Sequence, residues 1–379
     1  MAKKLLYVCK YPLAREVSLK NKFNGQIAGF ESMGFSCYYL AFDNDNYYLI
    51  NNNKKTIIKK IKNGASSKYL HFNAFVDLYK CAIKAINDIG FDYMYVRSDP
   101  IDINGISMYR QAKKNNIKII TEIPSYPIYR DNVKNPIMRA VLALSDFLQG
   151  RVSRYIDLYA IIGNKCEEFR SRPAINIENG VSVELFSLKK PLADSNINII
   201  GVASMSNWQG YDRAIKGLAK YDGNRNVHLR LVGDDGDGSL AKWKELADEL
   251  GLQDKVEFIP ARYGEQLDKL IDISDVGLAT LALYRSKLEK ASPLKVREYM
   301  SRGLPIVYSS VDSTLASADN FTIKVPEDES ALDISKVVEF AERVKNKEEI
   351  SKAMRNYAIE HMSWSNEFKK IFEKLEKNN

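Results

Sequence analysis

The chain predicts two Rossmann-like α/β domains, each a doubly wound parallel sheet, and two observations carry that expectation. At 379 residues it exceeds what one hydrophobic core serves, and a hydrophobic content of 45% is that of an ordinary globular chain. Short apolar strands and amphipathic stretches also alternate along it twice over, which builds parallel sheets joined by right-handed crossovers.

In the first half, strands are expected at 4–9, 36–40, 93–96, 117–121 and 158–162, each a run of apolar or aromatic residues. Helical periodicity marks 23–33, 74–89, 103–115 and 136–155 between them. The second half repeats the plan, with strands at 197–202, 227–232, 256–259, 276–279, 306–308 and 321–325 and helices at 211–220, 238–250, 265–274, 293–301 and 334–344. The Asn179-Gly180 turn and the polar stretch 189–196 set the boundary, giving domains 1–185 and 186–362. An amphipathic helix after Ser363-Trp364-Ser365 is expected to pack back on the first domain, so 363–379 is assigned to it. Ligands of such sheets bind outside the carboxyl ends of the strands, here in a cleft between the domains.

Charge is divided unevenly. Residues 1–180 hold 27 Lys and Arg against 16 Asp and Glu, whereas 181–379 hold 29 against 32. A negatively charged partner is expected on the basic half. Within it, Lys54 to Lys62 spaces Ile57, Ile58 and Ile61 among lysines like a helix on an anionic membrane surface. No recognised nucleic-acid module accompanies the charge, so nucleic acid is not expected as a partner. Four scattered cysteines without a CxxC pair argue against a zinc knuckle or a disulfide framework and point to the cytoplasm. The apolar start of the chain is too short for a signal-peptide core or a span and reads as the first strand. Asp43-Asn44-Asp45 reads as a turn, and His71, His228 and His361 are isolated, so no metal is expected.

The most informative stretch is Ser292 to Val307. Ser292 suits an N-cap, Pro293 the first helical position, Gly303 the stop, and Pro305 cannot continue the helix. A helix start attracts phosphate through its unpaired N–H groups and partial positive charge. Lys295 and Arg297 add charge there, and Glu298 one turn deeper is an acceptor for sugar hydroxyls.

Asn179-Gly180-Val181 with Phe186, Leu231 to Asp234, Val256 to Phe258 and Ser292 to Val307 together resemble retaining glycosyltransferases of family 4, which have the GT-B fold. Trp208 to Arg213 and Thr121 to Pro127 are similar to a branch of capsule and exopolysaccharide pathways. The resemblance implies a metal-independent hexosyltransferase using a UDP-sugar or GDP-sugar donor, with a lipid-linked glycan acceptor, at the inner membrane face. It implies ribose binding by Glu298, while the first glutamate of the family's Glu-x7-Glu motif is replaced by Lys290. The loop cations that contact the donor diphosphate in relatives are replaced by Ser204 and Gln209.

Candidates to compensate are Arg213, Arg285, Lys287, Lys295 and Arg297, with Arg213 and Lys295 preferred. Glu122, after an apolar strand, is expected at the cleft near the donor sugar, and with Arg213 and Lys295 completes the catalytic set. Donor binding is assigned to Ser292, Pro293, Leu294, Arg297, Glu298, Gly233 and Asp234, with the base against Arg262 and Tyr263. Asn24 and Gly25, expected at the end of the loop 10–25 before the first helix, and Arg97 and Asp99 line the acceptor side. The three replaced positions leave a rival: a catalytically silent GT-B subunit that partners an active transferase.

Overall fold

The computed structural model describes residues 2–13, 19–61, 73–127, 136–190, 195–286, 288–345 and 347–377. The chain divides into two compact units, Met1–Glu178 with Trp364–Asn379, and Asn179–Ser363.

The first unit is built on β1 (Lys4–Val8), β2 (Ser36–Phe42), β3 (Asn46–Asn51), β4 (Lys54–Lys60), β5 (Tyr93–Arg97), β6 (Lys118–Tyr126), β7 (Leu158–Gly163), β8 (Glu168–Phe169) and β9 (Arg172–Asn176). They form one sheet in the order β4-β3-β2-β1-β5-β6-β7-β9-β8. From β2 to β9 the order is parallel, and β3, β4 and β8 add antiparallel edges. Alternation in β1 sends Leu6 and Val8 to one core and Leu5 and Tyr7 to the other. The first core is closed by α2 (Ala74–Asp88) and α3 (Ile103–Lys114), with α4 (Pro136–Val152) packed beside α3. The second is closed by α1 (Lys20–Ser32) and the last helix of the chain, Trp364–Lys377.

That last helix packs as the sequence indicates. Phe368 stacks on Phe30 with centroids 3.9 Å apart, and a Cβ on Gly29 would lie 2.7 Å from Trp364 Cβ, so only glycine admits the approach. Replacing Trp364 by Ala is expected to destabilise the first unit by about 3–5 kcal/mol, read as an earlier denaturant midpoint.

Residues 54–60 differ from expectation. They form the edge strand β4, not a helix. Asn52 and Asn53 both adopt positive φ, 46° and 62°, the two-residue turn that closes a tight hairpin onto β3. Ile57 is exposed while Ile58 packs on the core, so the period is that of a strand. Residue 62 lies outside the described residues. Asp43 Oδ1 accepts from the amides of Asp45 and Asn46, each at 2.8 Å, which makes 43–46 a turn.

The second unit has six strands among the described residues, all parallel: β10 (Ile197–Val202), β11 (Val227–Val232), β12 (Val256–Ile259), β13 (Val276–Leu278), β14 (Ile306–Tyr308) and β15 (Thr322–Lys324), in the order β12-β11-β10-β13-β14-β15. One face carries α5 (Tyr211–Lys220), α6 (Ser239–Glu249) and α9 (Ile334–Val344), and the other carries α7 (Glu265–Asp272), α8 (Leu294–Arg302) and α10 (Glu348–His361). The last helix of the first unit, Trp364–Lys377, is α11.

Candidate active site

The carboxyl ends of β10, β11, β12 and β13 release four loops, and glycines let them interlock. Gly233, after β11, has φ of 152°, and a Cβ there would stand 1.7 Å from the Ala203 carbonyl oxygen. The Met205 amide donates to Asp234 O at 2.8 Å, and the Gly236 amide to Met205 O at 2.9 Å. Asp234 also accepts from the Ala261 amide at 3.1 Å and so ties the loop after β12, where Tyr263 is 41% exposed and Arg262 reaches back to the carbonyls of Pro260 and Ala261. On the other side, Leu281 N donates to Gln209 O at 2.9 Å and seats the loop after β10 on the loop after β13.

Lys295, in the first turn of α8, completes this arrangement. Its ammonium donates to Gln209 Oε1 at 2.6 Å and to Tyr211 Oη at 2.8 Å, and lies 5.0 Å from the Tyr211 ring centroid. Both hydrogen-bond partners are neutral, and burial alone lowers its pKa to about 7. Among the described residues no carboxylate pairs with this ammonium, and no side chain caps the first N–H groups of the helix it starts, an arrangement that is able to hold an anion.

The other expected cations are internally paired. Arg213 is 1% exposed, and its guanidinium donates to Ser330 O at 2.7 Å, to Pro326 O at 2.8 Å and to Leu281 O. It is a clamp for the loop before α9, not a catalytic cation. Arg297, also 1% exposed, pairs with the buried Asp312, donates to Asn179 O at 2.8 Å and reaches Thr314 Oγ1 at 3.0 Å. Its position in the helix turns it into the core and away from donor binding. Arg285 grips both oxygens of Asp212, at 2.7 and 3.0 Å, and pairs with Glu329, whose carboxyl it holds down at about 2. Lys287 lies outside the described residues.

The helix start itself is shifted by one position. Pro293 is the cap residue and Leu294 the first helical one; Ser292 Oγ accepts from the Asn179 amide at 2.9 Å and the Ser292 carbonyl from Asn179 Nδ2 at 2.7 Å. Ser292 therefore anchors the Asn179-Gly180 turn instead of capping α8. Glu298 sits one turn on, where burial raises its carboxyl against the pull of Arg302, which donates to it at 2.9 Å. Gly303 ends α8 with φ of 71°.

In the first unit, Glu122 is 0% exposed and does not reach a strand end, because β6 continues four residues further to Tyr126. Its carboxylate accepts from Lys22 Nζ at 2.8 Å, Gln26 Nε2 at 2.5 Å and Tyr95 Oη at 2.8 Å. Burial pushes this carboxyl up, and the charges of Lys22 and Arg97 outweigh it, so the net shift is downward. Glu122 is a core anchor, with both oxygens engaged inside the first unit, and not the cleft-facing carboxylate expected. Asn24 and Gly25 lie inside α1, not before it, and Tyr11 Oη donates to Asn24. Arg97, the last residue of β5, pairs with Asp99 just beyond it at 2.8 Å. Gln209, read in the sequence only as a lost loop cation, and Tyr211, given no role there, are the residues that hold Lys295; the signal was that glutamine together with a lysine in the first turn of α8.

Among the described residues, no three His, Cys, Asp or Glu side chains gather as a metal site would require. Residues 184–361 match the family model of glycosyl transferases group 1. No curated protein matches the chain. Among solved structures, a glycosyltransferase from Rickettsia africae is 17% identical, with a TM-score of 0.62, and the match covers 100% of this chain and 98% of that one. A sucrose-phosphate synthase from Thermosynechococcus elongatus is 13% identical with a TM-score of 0.67, covering 100% of both. HepE from Anabaena, solved in complex with UDP and glucose, is 14% identical with a TM-score of 0.59, covering 99% of this chain and 100% of that one. Residues 184–361 thus resemble the group 1 glycosyl transferases, and the fold of the chain is that of GT-B structures.

Proposed function

We propose that the protein is a retaining hexosyltransferase of family 4 that moves a sugar from a UDP-sugar or GDP-sugar to a lipid-linked glycan acceptor in surface polysaccharide synthesis. The observation that carries this reading is the Lys295 ammonium, held between Gln209 and Tyr211 with neutral partners at the α8 start. A leaving nucleoside diphosphate gains negative charge as the glycosidic bond breaks, and a fixed cation with helix N–H groups stabilises that charge more than it stabilises the intact donor. Glu298 offers a carboxylate to the ribose hydroxyls, the exposed Tyr263 offers a ring face to the base, and Gly233 keeps the backbone open between them.

Thermal-shift titration with UDP, GDP and their sugars tests the donor assignment. One nucleotide should raise the melting temperature in wild type and much less in Lys295→Ala; no shift with any of them removes the reading. Glu298→Gln should raise the donor KM by about tenfold with little change in kcat, since one uniform binding interaction is weakened. In this proposal the diphosphate charge is met by Lys295 and α8 without a metal, so turnover should persist in excess EDTA, and restoration by added Mg²⁺ or Mn²⁺ would overturn that part.

Lys290 favours a second reading, since relatives carry a glutamate there. A silent subunit would bind donor yet transfer nothing to any acceptor and would hydrolyse none. Turnover of donor by the isolated chain eliminates it.

A further inference from the structure

The outer face of α4 is apolar and is covered by no described residue. Over its 17 residues, Ala140, Ala143, Leu144, Phe147, Gly150 and Arg151 recur at helical spacing and all are exposed, Leu144 at 59% and Phe147 at 58%. Ordinary surface helices turn such a stripe inward; here α4 gives Ser145, Val152 and the partly buried Leu148 to the interior, and Ser145 Oγ accepts from the Ile101 amide at 2.9 Å. The exposed stripe runs about 16–18 Å at 1.5 Å per residue.

The exposed charges that α4 and its continuation carry are basic. Arg139, Arg151 and Arg154 are exposed along the same helix and its short continuation, and the Arg151 guanidinium lies 4.7 Å from the Phe147 ring centroid. The only acid of α4, Asp146, is half-buried and engaged by Arg170 at 2.5 Å. Apolar side chains between arginines, with no carboxylate free among them, match a bilayer surface rich in anionic headgroups: the rings and aliphatic chains enter the acyl boundary while the guanidinium groups meet phosphates. No described helix is long and apolar enough to cross a membrane, so the contact would be peripheral.

We infer that the α4 face, centred on Leu144 and Phe147 and rimmed by Arg139, Arg151 and Arg154, docks the protein on an anionic bilayer. The edge strand β4 is not that surface: it belongs to the opposite margin of the sheet, where its lysines protect an open edge. The inference rests on the lipid-linked acceptor reading only for its purpose, and docking is measured without donor or transfer, so either can fail alone.

The test is co-sedimentation with phosphatidylcholine vesicles with and without about one-third phosphatidylglycerol. Wild type should pellet with the anionic vesicles, and partitioning should fall by about tenfold or more in Leu144→Asp/Phe147→Asp and with rising salt. Arg139→Glu/Arg151→Glu should weaken it similarly, while Lys54→Glu/Lys55→Glu should leave it unchanged. Wild type remaining in the supernatant overturns the inference. So does undiminished pelleting of both α4 variants, or a dimer-to-monomer change in gel filtration with vesicle binding intact, which would make the face a contact between copies.

Discussion

Lys295→Ala is expected to lower turnover by about 10²–10³-fold, the size of effect seen when one preorganised donor to a developing charge is removed. The loss should appear mainly in kcat, and the variant should fold, because its hydrogen-bond partners are a glutamine and a tyrosine, so its removal leaves no buried charge unpaired. The pH profile supplies a second readout. Burial lowers the Lys295 pKa to about 7, so in the free protein the ammonium is complete below that value and titrates away above it. A diphosphate binds the charged form, and nucleotide affinity should fall by up to about tenfold per pH unit above 7, until the raised pKa of the complex is passed. Lys295→Met should flatten that slope.

Stability changes in the opposite sense. The folded-state pKa lies below the unfolded value of about 10.4, so the unfolded chain binds more protons between the two, and this group makes the ligand-free protein more stable as pH rises through that window. A rate for Lys295→Ala within about twofold of wild type would remove this side chain from the mechanism.

Glu122→Ala should destabilise the first unit by about 3–5 kcal/mol, since it leaves Lys22, itself 4% exposed, as an unpaired charge in the interior. Replacing the pair by Lys22→Met with Glu122→Leu should restore most of the loss, because the cost lies in the orphaned charge. Equilibrium denaturation reads both. The Glu122 carboxyl is held below its ordinary value, so its contribution is present above the unfolded pKa of about 4.3 and fades as pH falls through the lower folded value. A midpoint for Glu122→Ala equal to wild type would show the contact network to be immaterial.

Local signals located most of the fold. The bounds of α5 and α9 were legible to the residue because each has a strong apolar stripe and a definite start, Gly210 in the left-handed region and Asp333 accepting from the Lys336 amide. The β3–β4 hairpin was not, since lysines and isoleucines at 54–62 fit a helical period as well as a strand, and only the Asn52-Asn53 turn separates the two.

The site was legible by class of residue and not by engagement. Arg213, Arg297 and Lys295 look equivalent in one dimension. What distinguishes them is tertiary: Asp312 comes from beyond β14 to meet Arg297, carbonyls of the 326–330 loop gather on Arg213, and among the described residues Lys295 hydrogen-bonds to the neutral Gln209 and Tyr211. Glu122 misled for a related reason, as the apolar run stopped at a residue where the strand did not.

The return of α11 to the first unit bears on how the protein is made. Trp364, Phe368, Ile371 and Leu375 belong to the same core as Phe23 and Phe30, yet the ribosome delivers them after the whole of Asn179–Ser363. During translation the α1 side of the first sheet stays open to solvent, with Phe30 lacking its stacking partner, while the second unit has every strand it needs. The later-synthesised unit is therefore the one that can mature first, and the nascent first unit is the stage at which a chaperone has an apolar face to hold.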